Sequence, residues 1–95
     1  MEQLQRIEEM ESAMRRVSAA LEKIGPALDA YLEVQSELRA LTEYYESPLW
    51  REDFEADENG LLPRDLRRGV LSEDGLYDLL RENDELREKL QKVIM

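Results

Sequence analysis

From Ile7 onward the apolar residues fall at alternating steps of three and four, through Met10, Met14, Val17, Leu21 and Ile24. That spacing is the a/d seam of a heptad helix, and charged residues such as Glu8, Glu9, Arg15 and Arg16 take the flanks. Glu2–Arg6 and Glu11–Arg15 stand four apart in the favourable order, each pair contributing about 0.3 kcal/mol on an exposed face. Gly25-Pro26 predicts the end of this first helix at residue 24, because Gly releases the chain at a C-terminus and Pro opens the next helix. A second seam, Ala27, Tyr31, Val34, Leu38, Leu41 and Tyr45, predicts a helix over 27–46. With two residues between the seams, the preferred expectation is an antiparallel helical hairpin; a single helix kinked at Pro26 is the competing one.

The pattern changes over residues 47–72, where short helices and loops are expected. Ser47-Pro48 reads as a helix start, with the Ser hydroxyl as cap and Pro in the first turn. A helix from Pro48 to about Asp57 puts Trp50 and Phe54 on one face, and Asn59-Gly60 ends it. A further turn or two of helix is expected from Pro63 to Arg68, closed by Gly69. Ser72-Glu73-Asp74 then caps a last helix over 73–94, its stripe running Leu76, Leu79, Asn83, Leu86, Leu90 and Val93. Gly75 weakens that helix in its first turn, and Asn83 is the polar residue on the seam, either of the kind that fixes register in coiled coils or a half-exposed Asn at the edge of the stripe. The expectation is a single all-α domain. The hairpin and the long C-terminal helix would form a three-helix, coiled-coil-like bundle.

Composition narrows the chemistry. The 95 residues hold no Cys and no His, which removes thiolate and imidazole nucleophiles, bases and zinc ligands. Thirteen basic against 23 acidic side chains give a net charge of −10, which disfavours nucleic acid and anionic membranes as partners. No apolar run approaches the roughly 20 residues of a membrane span. The charged pattern beginning at Glu2 is not that of a signal peptide, so a cytoplasmic location is expected.

Residues 44–58 are the best place for specific chemistry, holding four of the six aromatic residues and six of the 23 acidic ones. Glu55, Asp57, Asn59 and Gly60 imitate positions one, three, five and six of a calcium loop, but position twelve is Leu66 rather than the bidentate Glu. Asp53 and Asp57, four apart, are weak candidates for a divalent metal; the plainer reading is a solvated acidic face. Arg64, Arg67 and Arg68 form the basic cluster and are expected to neutralise neighbouring carboxylates rather than bind a free anion. No catalytic motif and no cofactor fingerprint is present.

The run Tyr44-Tyr45-Glu46-Ser47-Pro48-Leu49-Trp50-Arg51-Glu52-Asp53-Phe54-Glu55-Ala56-Asp57-Glu58, with Gly60, Leu62-Pro63, Leu66 and Gly69-Val70-Leu71-Ser72-Glu73-Asp74, resembles a family of small bacterial proteins catalogued as domain of unknown function 4298. The resemblance is strongest over residues 44–80. It implies a bacterial, cytoplasmic protein and brings no catalytic residues. It also implies that Tyr45, Trp50, Asp53, Asp57, Pro63, Gly69, Ser72 and Tyr77 belong to one motif.

The functional expectation is a non-enzymatic helical interaction module, self-associating or binding a protein with a basic or apolar surface. Tyr45, Trp50, Asp53, Phe54, Asp57, Arg64, Arg67, Arg68, Tyr77 and Asn83 are its candidate structural or contact residues. Two other classes remain open at this point: a small carboxylate-based metal-binding protein or hydrolase, and an acidic inhibitor of a basic or nucleic-acid-binding protein.

Overall fold

A computed structural model describes residues 2–94, and among these the chain is helical with no strand. Four helices follow in order: α1 (Glu2–Glu33), α2 (Gln35–Glu46), α3 (Pro48–Glu58) and α4 (Gly75–Ile94), with a short 3-10 helix (Gly69–Leu71) before α4. The chain divides between Ser36 and Glu37 into two units.

The first unit is essentially α1, and here the structure corrects the sequence reading. The helix does not end at residue 24; it runs through Gly25 and carries Pro26 in its interior. The expected hairpin of 1–24 against 27–46 is therefore not formed. Pro26 offers no N–H to the Glu22 carbonyl, and an interior proline costs about 3 kcal/mol. The heptad phase nevertheless passes through undisturbed, since Ile24 is followed by Leu28 four residues on and Tyr31 three further. A reversal would have broken that stripe.

The helix is interrupted instead at Val34, whose N–H bonds back three residues to the Tyr31 carbonyl at 3.3 Å. The Gln35 side-chain amide donates to the same carbonyl at 2.9 Å, so the break leaves no orphan acceptor there.

The second unit gathers around the 3-10 helix, which packs against both α3 and α4. Its centre is Leu71 and Leu76, the buried hydrophobic residues among those described. Full burial of a Leu is worth about 1.5–3 kcal/mol, so this core is thin and depends on the hydrogen bonds around it.

Those bonds are local and specific. The α3 C-terminus closes as expected at Asn59-Gly60. Gly60 takes φ 69°, its N–H reaches the Asp57 carbonyl at 3.1 Å and the Leu61 N–H reaches Ala56 at 3.0 Å. That six-to-one and five-to-two pair defines a Schellman stop. The α3 start differs from expectation: the Ser47 hydroxyl makes no cap bond to α3 and donates back to the Tyr44 carbonyl at 2.8 Å.

Pro63–Arg68 forms a turn rather than a helix, with the Leu66 N–H on the Pro63 carbonyl at 3.3 Å. The Arg68 guanidinium takes the Pro63 and Leu66 carbonyls, which competes with further helical bonding. α4 opens at Gly75, and Ser72 acts as its cap in the expected way, accepting the Gly75 N–H at 3.0 Å while donating to the Gly69 carbonyl at 2.9 Å.

Candidate functional site

The aromatic-acidic segment folds into a fastening between α3 and the chain that leads to α4. Tyr45, Trp50 and Phe54 come together: Trp50 meets Tyr45 edge-on at 5.1 Å and lies nearly parallel to Phe54 at 5.3 Å. Helical spacing puts Trp50 and Phe54 on one face, and the bend at Ser47 brings Tyr45 to them. The indole N–H donates to the Val70 carbonyl at 2.9 Å, which ties α3 to the 3-10 helix.

The two acidic candidates are each held by a different partner. Asp53 Oδ2 accepts the Tyr44 hydroxyl at 2.6 Å. Burial, helped by that bond and by the carboxylate charge, pushes the Tyr44 phenol from its ordinary 10.0 to about 12. Asp57 is paired with Arg68, whose fork also reaches the Pro63 and Leu66 carbonyls, so one side chain closes the whole 57–68 loop. The expectation that a member of the basic cluster serves an internal carboxylate therefore holds for Arg68. Arg64 and Arg67 are exposed and, among the described residues, have no ion-pair partner.

Among the described residues no three Asp or Glu side chains converge as a metal site would require.

Tyr45, Tyr77 and Asn83 line one groove of about 400 Å³, together with Thr42, Leu80 and Arg81. Tyr77 is exposed and Asn83 half-buried at its wall. The groove places three residues chosen separately from the sequence on a common surface.

Tyr44 is not among the site residues that sequence reasoning singles out, although its hydroxyl links α2 to α3. Its separation from Asp53 exceeds two helical turns, and only the bend at Ser47 brings the two groups together.

The family model described as Domain of unknown function (DUF4298) matches residues 7–93 of the 95. The chain belongs to the DUF4298 family. The match takes in nearly all of α1 and α4 besides the 44–80 stretch where the resemblance was strongest. No curated protein and no solved structure matches this DUF4298 chain.

Outside the fastening lies the largest uncommitted feature, the seam of α1. Leu4, Ile7, Met10, Met14, Val17, Leu21, Ile24, Leu28 and Leu32 are all exposed, from 39% at Leu28 to 69% at Met14. No helix among the described residues is long and apolar enough to cross a membrane.

Proposed function

We propose that this protein is a non-enzymatic helical interaction module, cytoplasmic, whose α1 docks its apolar seam against a seam of the same kind on another polypeptide. The observation that carries the reading is the exposure of seven large apolar residues in heptad phase along one helix, from Ile7 to Leu28, with Leu4 and Leu32 beside them. Single exposed hydrophobics are ordinary, but a contiguous stripe of this length marks a contact surface. A helix of this length with its apolar face in water gains no tertiary packing, which is where most helical stability in proteins comes from.

The fastening of residues 44–77 supports this reading by what its polar groups are doing. Asp53, Asp57, Arg68, Ser72 and the Trp50 indole are engaged in bonds that hold the second unit together. They are structural anchors in this account.

Photo-crosslinking in cells tests the reading. A photoreactive side chain at Met14 or Val17 should give discrete protein adducts, and one at Ser12 or Ala19, on the opposite face, should not. Absence of adducts from both seam positions would sink it.

A further inference from the structure

We infer that the partner of α1 is a second copy of this chain, joined in a parallel, in-register coiled coil; the inference rests on the reading of α1 as a docking surface. The seam assigns Ile7, Met14, Leu21 and Leu28 to heptad position a, and Met10, Val17, Ile24 and Tyr31 to position d. The flanking e and g positions then decide both the occupant and its direction.

Between Glu2 and Tyr31 those flanks carry two charged residues, Arg6 at g and Glu11 at e. In a parallel, in-register pair, a g residue faces the e residue of the partner's next heptad, five positions on. Arg6 of each copy therefore meets Glu11 of the other, twice by symmetry. In an antiparallel pair g faces g and e faces e, and Arg6 and Glu11 would meet the small or apolar residues at the far end of the seam. Neither Arg6 nor Glu11 is ion-paired within its own chain among the described residues, so the expected helix-surface pairs with Glu2 and Arg15 do not compete for them.

Charge is light on the e and g flanks of the seam. α1 (Glu2–Glu33) holds seven carboxylates and four cations, a net −3 within the whole chain's −10. The remaining g positions are Ala13, Ala20 and Ala27, and e includes Ser18 and Gly25, so helices can approach closely without meeting a like charge.

The area is adequate. Half-exposed side chains of this size offer about 100 Å² each, so the seam presents roughly 700 Å² per copy, near the about 800 Å² per partner of a stable interface. β-branched Val17 and Ile24 at d accommodate a third or fourth strand as well as a second, with the same g-to-e pairing in each parallel assembly.

Light scattering and disulfide trapping on the purified full chain test the inference. The protein has no native Cys, so Val17→Cys provides a single thiol. In the parallel register it meets its own copy and should form a covalent dimer in high yield on mild oxidation, while Ser12→Cys should not. Arg6→Glu should weaken association about tenfold by placing like charges at both symmetric pairs, and Arg6→Glu with Glu11→Arg should restore it. A monomeric mass at every concentration would overturn the second copy as partner. Seam adducts in cells of another mass would then leave the docking reading standing alone. An assembly in which Val17→Cys does not trap, or in which the charge reversal has no effect, would overturn the parallel register.

Discussion

The indole N–H of Trp50 bonds to the carbonyl of Val70, twenty residues along the chain. This bond joins α3 to the 3-10 helix that carries Leu71, and the stacking of Phe54 on the same ring, within α3, holds the indole in place. Trp50→Phe keeps a ring but leaves the Val70 carbonyl without its donor, and should cost about 1–2 kcal/mol in a denaturant titration. Trp50→Ala also removes the stacked surface and should cost about 3–5 kcal/mol.

Arg68 closes the 57–68 loop with one planar fork, bonding Asp57 and two carbonyls. Arg68→Lys retains the charge but cannot satisfy that set of acceptors. Limited proteolysis should therefore cut both Arg68→Lys and Arg68→Ala between residues 61 and 68 faster than the native chain.

Gly75 lies in the first turn of a helix, where Ala would ordinarily stabilise by up to about 1 kcal/mol. Here an added Cβ would collide with the Ser72 hydroxyl and come within 3.0 Å of the Gly69 carbonyl. Gly75→Ala should displace the cap and destabilise by about 1 kcal/mol, read as a lower melting temperature.

Tyr44 keeps its proton to about pH 12 in the folded chain, against 10.0 when unfolded. Between those values the unfolded state binds fewer protons than the folded one. The contribution of this phenol is therefore complete below pH 10 and is lost as pH rises through about 12. Denaturant midpoints measured across that window should fall more steeply for the native chain than for Tyr44→Phe.

Pro26 sits inside α1. Replacing it with Ala restores a helical hydrogen bond and should raise helix content and stability, by up to about 3 kcal/mol, without loss of association. If the chain reversed at this point, the same change would damage the fold.

Much of the helical character was legible in the sequence because heptad spacing and stop signals are local. Asn59-Gly60 and Ser72 behave as their residue types suggest. Gly25-Pro26 was misread because the same two residues suit both a helix end and a continuing helix, and the continuity of Ile24, Leu28 and Tyr31 was the better guide. The Pro63–Arg68 stretch was misread because Arg68 captures carbonyls that a helix would have used, which local propensity does not register. At the site, the Trp50–Phe54 pair followed from i,i+4 spacing. The Tyr44–Asp53 bond did not, since it depends on the bend at Ser47.

Hydrogen exchange on the native chain beside Leu21→Glu asks whether the α1 seam is an interface. An interface there gives slow exchange across residues 7–24 of the native chain, selective loss of that protection in the variant, and unchanged protection around Leu71 and Leu76. Equal exchange of residues 7–24 in both proteins would show that the seam contacts nothing and is no interface.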